Sequence, residues 1–134
     1  MKTLQLKDFL NHLHFFSVQL QAYHWNFKGI DFLYFHKFFD ERYSEVLEQK
    51  DKIAEYLRYK KEIALIDFTK APVISVPKKD IDIVEAALDA YLAAQAECDK
   101  LLQNTKDPVL ENILQQFMED NAKIIYFLQS TLEK

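Results

Sequence analysis

Residues 24 to 36 read His24-Trp25-Asn26-Phe27-Lys28-Gly29-Ile30-Asp31-Phe32-Leu33-Tyr34-Phe35-His36, a run bounded by histidines that holds the only glycine of the 134-residue chain. Glycine tolerates backbone conformations that other residues resist, so Lys28-Gly29 marks a turn. Before it, apolar residues fall at Leu6, Phe9, Leu10, Leu13, Phe16, Leu20, Tyr23 and Phe27, the three-and-four spacing of an amphipathic helix. After it the period restarts at Phe32, Phe35, Phe39, Val46, Ile53 and Leu57. Two long helices joined by one tight turn make an antiparallel hairpin.

Farther along, Ile66-Asp67-Phe68-Thr69-Lys70-Ala71-Pro72-Val73-Ile74-Ser75-Val76-Pro77-Lys78-Lys79 carries two of the three prolines and no helical period. It predicts a long connection with room for one short helical turn. A third helix is expected from about Asp80, as N-cap, to Asn104. A fourth is expected from Pro108, with Asp107 as N-cap and proline at the favoured first position. Two tight hairpins joined by one long crossover describe an all-α, ferritin-like four-helix bundle over a single domain, residues 1–134.

Composition narrows the function classes. Half the residues (49%) are hydrophobic and 28% are charged, as in a folded domain rather than a disordered chain. The lone Cys98 forms no intramolecular disulfide, and no signal-peptide core or membrane-spanning run is visible. The expected compartment is the cytoplasm. A formal net charge of −4 offers nothing to attract nucleic acid and favours cations instead.

Helical geometry then sorts the polar residues of the second helix. Taking His36 as zero and about 100° per residue, Asp40 falls near 40°, Asp51 near 60° and Glu55 near 100°, while the apolar stripe clusters near 280°. The four candidate ligands therefore share a face turned away from the bundle's own core. His36 and Asp51 are about 22 Å apart along the axis at 1.5 Å per residue, too far for one ion. Antiparallel pairing with a second copy removes the difficulty, because residues whose numbers sum to 91 then meet: His36 with Glu55, Asp40 with Asp51. Ser44 and Leu47 would cross at the two-fold axis, and Leu33 and Ala54 would supply apolar contact. His24, brought near by the Gly29 turn, can complete each site. Imidazole with carboxylate suits Fe(II), Mn or Zn and leaves positions open for an oxidant. The plainer reading is a solvated acidic face with a structural histidine.

The residues His24-Trp25-Asn26-Phe27-Lys28-Gly29, then Phe32, His36, Asp40 and Tyr43, then Asp51-Lys52-Ile53-Ala54-Glu55 resemble the signature of the Dps family of mini-ferritins. The likeness is strong over roughly the first 58 residues and weaker near Asn112-Ile113-Leu114 and Ile125-Tyr126-Phe127-Leu128. It implies a dodecameric shell with ferroxidase centres between subunits. It also implies metal ligands His24, His36 and Asp40 from one chain, with Asp51 and Glu55 from its partner. The implied activity is oxidation of Fe(II), with hydrogen peroxide or dioxygen as oxidant, and storage of ferric mineral. The resemblance further places Trp25 near the centre, where an indole can absorb an oxidising equivalent; the alternative is a packed core indole.

Departures from the family pattern are Tyr56 in place of an arginine, Lys60-Lys61 in place of a glycine, and Ile124 and Tyr126 in place of a histidine and a tryptophan. Only Lys2 precedes the first helix where DNA-binding members carry a lysine-rich tail, which argues against DNA as a partner. Asp107 and Glu111 are candidates for an acidic pore, against the simpler role of helix-start acids. His12 and His14 point to different faces and read as polar-face or packing residues rather than a chelate pair, and Cys98 has no activating neighbour. Two rival functions remain: a metal-binding structural shell without turnover, and a DNA-compacting protein.

Overall fold

The computed structural model describes residues 3–133, so Lys2 lies outside the described residues. Four helices, α1 (Thr3–Asn26), α2 (Phe32–Tyr59), α3 (Asp80–Gln103) and α4 (Pro108–Leu132), form the two hairpins, and a 3-10 turn at Phe68–Lys70 interrupts the crossover. The fold is the all-α, ferritin-like bundle expected from the sequence.

Why the helices lie nearly parallel is visible in their buried stripes. In α3 these are Val84, Ala87, Tyr91, Ala94, Cys98 and Leu101, and in α4 Leu110, Leu114, Phe117, Asn121, Ile124 and Leu128. Alternating steps of three and four keep one seam facing the neighbours over the whole length, the geometry of shallow-angle bundle packing. Phe39, Val46, Ile53 and Leu57 of α2 meet Leu6, Phe9, Leu13 and Leu20 of α1 in the same core. Contacts are dense within each hairpin and sparser between the hairpins, where α1 packs on α3 more closely than α2 packs on α4.

The first turn is built around Gly29, whose φ of 90° suits glycine. A Cβ there would stand 2.8 Å from Asp80 Oδ2. Asp80 is not the N-cap of α3: Lys79 takes that position, and Asp80 is the first helical residue. Its Oδ1 instead accepts a hydrogen bond from the Lys28 amide at 3.1 Å, tying the α1–α2 turn to the start of α3. Asp107 does cap α4, accepting from Val109 N at 2.9 Å with Pro108 at the first helical position.

α2 ends in a paired-carbonyl stop. Lys61 N donates to Arg58 O at 2.9 Å and Glu62 N to Leu57 O at 2.8 Å, which puts Lys61 at a left-handed φ of 62°. The crossover is then pinned along α1. Asn11 Oδ1 accepts from Asp67 N at 2.6 Å, and Lys70 Nζ reaches Asp8 Oδ1 at 3.1 Å. His12 and His14 diverge as expected of packing residues. His12 pairs with Glu97 of α3, while His14 lies against Phe15 and Phe68 and accepts from Lys50 Nζ at 3.4 Å.

Candidate metal centre

The Gly29 turn sets the end of α1 beside the start of α2, and this brings His24 and His36 together. Their rings stack with centroids 3.9 Å apart and an interplanar angle of 22°, and Phe32 stacks on the far side of His36 at 4.7 Å. Each imidazole is braced by the other's backbone: His24 Nδ1 lies 2.5 Å from His36 O, and His36 Nδ1 lies 2.8 Å from His24 O. A carbonyl only accepts, so both Nδ1 atoms carry the proton. In the neutral rings this leaves the lone pair on both Nε2 atoms, the tautomer a metal ligand needs. The His24 carbonyl also belongs to the last turn of α1, where helical acceptors lack an internal donor, so the brace closes that end as well.

Asp40 lies one turn beyond His36 and is exposed. Asp51 and Glu55, also exposed, sit about 22 and 28 Å from His36 along the helix axis. Asp51 lines a surface groove of about 350 Å³ with Leu10, Ala54, Leu65 and Phe68. Glu55 lines another of about 420 Å³ with Tyr56, Tyr59, Val109 and Ile113. Among the described residues, no group of three or more His, Cys, Asp or Glu side chains converges within one chain. The structure thus unites His24 and His36 and leaves the two far carboxylates at the other end of the same helix.

The face that carries these residues is unusually apolar for a solvent boundary. Leu33 is 82% exposed and Trp25 64% exposed, with Leu65 and Phe68 similarly open. Ser44 is exposed, and Leu47 and Ala54 are half-buried. The packed-core reading of Trp25 is overturned within the single chain.

Several neighbours went unread in the sequence. Tyr56, in the arginine position, donates its hydroxyl to Asp107 Oδ2 at 2.5 Å, and Lys60 Nζ approaches the same oxygen at 3.0 Å. Asp107 is thereby held at a low pKa of about 2, chiefly by the Tyr56 hydrogen bond and then by Lys60 and Val109. With three local donors on it, Asp107 serves as a cap and latch within the chain. No spacing rule links residues 56 and 107, so this tie had no sequence signal. Cys98 is inert as expected: its thiol is buried, donates to Leu114 O at 3.4 Å, and burial pushes its pKa up to about 12.

This architecture defines a ferritin-like bundle protein, and the Ferritin-like domain family matches residues 3–134. The "DNA protection during starvation protein" of Listeria innocua is 41% identical over 64 residues, covering 42% of this chain and 41% of that protein. The structure of Listeria innocua Dps soaked with cobalt superposes with a TM-score of 0.86 at 25% identity, covering 98% of this chain and 96% of that one. A Dps protein from Vibrio cholerae, described as one of the ferritin-like diiron-carboxylate proteins, gives a TM-score of 0.84 at 18% identity, covering 96% and 87%. The chain belongs to the ferritin-like family, in its Dps branch.

Proposed function

We propose that this protein is an iron-sequestering ferroxidase whose centres form between two antiparallel copies of α2. His24, His36 and Asp40 of one chain would bind Fe(II) with Asp51 and Glu55 of the other. Two Fe(II) ions give up one electron each, one hydrogen peroxide takes both together with two protons, and two waters result. The ferric product hydrolyses and is stored as mineral inside a dodecameric shell in the cytoplasm. Dioxygen is the alternative oxidant.

The observation that carries this reading is the reciprocal histidine brace. It fixes both rings in the ligand tautomer, on a face whose remaining candidate ligands are all carboxylates. That donor set fits iron: borderline nitrogen with hard oxygen, in a number small enough to leave open positions. The exposed apolar residues of the same face supply the burial that subunit pairing needs. Family membership supports iron handling and protection more broadly.

The test uses complementation. His36→Ala and Glu55→Ala chains should each oxidise Fe(II) with peroxide at close to the background rate. After equal mixing and confirmed subunit exchange, random pairing gives half the dimers one undamaged centre, so about a quarter of the wild-type rate should return. No recovery above either parent would sink the intersubunit assignment. A wild-type protein that binds Fe(II) but oxidises it no faster than buffer would favour the structural shell without turnover.

A further inference from the structure

The polar groups on the opposite side of α2 from the histidines have no assigned role. Arg42, Glu45 and Gln49 follow one another at helical spacing on α2, Tyr91 and Gln95 do so on α3, and Asn121 faces them from α4. Tyr91 and Asn121 are fully buried and Gln49 is 7% exposed. Six of their atoms, Arg42 Nε, Glu45 Oε1, Gln49 Oε1, Tyr91 Oη, Gln95 Oε1 and Asn121 Nδ2, are shut off from solvent with no hydrogen-bond partner within the protein.

Amide flips do not remove the deficit at the Gln49–Asn121 pair. Gln49 Nε2 already donates to Asn121 Oδ1 at 3.4 Å, and Gln95 Nε2 to Met118 O at 2.8 Å. Flipping both amides of the Gln49–Asn121 pair exchanges donor for acceptor and leaves the same number unpaired. Arg42 meets Glu45 only loosely, at 3.7 Å, while its guanidinium lies 4.9 Å over the Phe38 ring. Six orphaned atoms in one core carry a combined penalty that rivals the whole net stability of a domain. Some ligand must satisfy them.

We infer that the seam between α2, α3 and α4 is a built internal water site that hydrogen-bonds one hairpin to the other. The ligand class follows from the lining. Donors and acceptors are mixed, and the Arg42 and Glu45 charges oppose one another. A cation would face Arg42 and an anion would face Glu45, whereas water donates and accepts. Glu48, Asp120 and Lys123 add charges of both signs nearby. Buried waters make about three hydrogen bonds each, so six atoms call for about two waters per chain. Arg42 also lines a surface groove of about 310 Å³ between α2 and α4, with Tyr34, Phe38 and Phe127. Exchange with bulk solvent has a route there.

Water-17O magnetic relaxation dispersion on the intact protein reads long-lived internal waters directly. The wild type should show about two per chain and a Tyr91→Phe/Gln95→Leu variant, which keeps four of the six atoms, about one fewer, with unchanged helical content by circular dichroism. Equal dispersion from the two folded proteins would overturn the proposal. A high-resolution crystal structure of the wild type serves independently of the variant's folding. Ordered waters bonded to Tyr91 Oη and Gln95 Oε1 would support the site. Direct pairing of the six atoms with one another, or an anomalous-scattering ion in their midst, would overturn it.

Discussion

Lys61 holds the one positive φ of a non-glycine residue among the described residues, and it does so to end α2. A side chain in that conformation costs about 1 kcal/mol or somewhat more, because its Cβ crowds the backbone. Lys61→Gly should therefore raise stability by about 1 kcal/mol in urea denaturation, with the m-value unchanged. The sequence marked Lys60-Lys61 only as a departure from the family pattern; the lysine's strain was visible only once the two capping hydrogen bonds had located it. Asp107 titrates in the opposite sense to a buried acid. Its pKa falls from 3.8 to about 2 on folding, first through the Tyr56 hydroxyl. Its stabilising effect is fully present above the unfolded value and is lost as the pH drops through the interval toward 2. Asp107→Asn should flatten the stability curve between those two pH values, and Tyr56→Phe should flatten it in part. Glu45 runs the other way, since burial raises its pKa in spite of Arg42. Its protonated form favours the fold, and that contribution fades as the pH rises past the ordinary carboxylate range. Glu45→Gln should accordingly unfold at a higher temperature than wild type at pH 7, with the difference shrinking at pH 4.

Elements were the most legible scale, for a physical reason. Long apolar stripes, one glycine and three prolines leave little freedom in where four helices start and stop, and α1 to α4 fall close to the expected spans. The Asp107-Pro108 start was readable because cap and helix are adjacent in sequence. Asp80 misled for the matching reason: an acid at a helix start looks like a cap, and its partner amide on Lys28 is fifty-two residues away. Long-range ties of that kind have no local signature. The turn they secure should be sensitive. Gly29→Ala places a methyl group 2.8 Å from Asp80 Oδ2 at a φ of 90° and should cost about 1–2 kcal/mol or more. Asp80→Ala, which removes only the hydrogen bond, should cost about 1 kcal/mol. Chemical denaturation of both single variants and the double variant checks the shared cause, because the two losses should not add.

For the whole molecule, the candidate site was half legible. The ligand face of α2 came from simple angular arithmetic, yet the tautomer-fixing brace depends on two backbone carbonyls that no side-chain pattern encodes. At this scale the expectation about DNA rests on charge. Each chain carries a formal charge of −4, and assembly multiplies it. Lys60, next to Lys61, is engaged with Asp107 at the far end of α2, while Lys78 and Lys79 stand next to Asp80 at the Gly29 end, about 40 Å away along α2, so the four lysines make no single basic patch within one chain. Phosphate binding depends on cationic groups that displace counterions. No gel shift of duplex DNA is expected from the iron-free protein at neutral pH and physiological salt, and salt-sensitive retention would contradict this.

The histidine brace lies wholly within one chain, so half of each proposed centre is rigid before any partner arrives. Ordering two imidazoles is then a cost already met in the folding of the single hairpin, and the encounter of two copies has only the carboxylates left to settle. On the proposed pairing, ion and partner each bind a surface that the other completes, which makes them mutually reinforcing ligands. Dilution should weaken Fe(II) retention, and chelation should shift the association equilibrium toward smaller species by the same factor. Sedimentation at several protein concentrations, with and without Fe(II) under anaerobic conditions, would display that reciprocity as one coupling constant measured from either side.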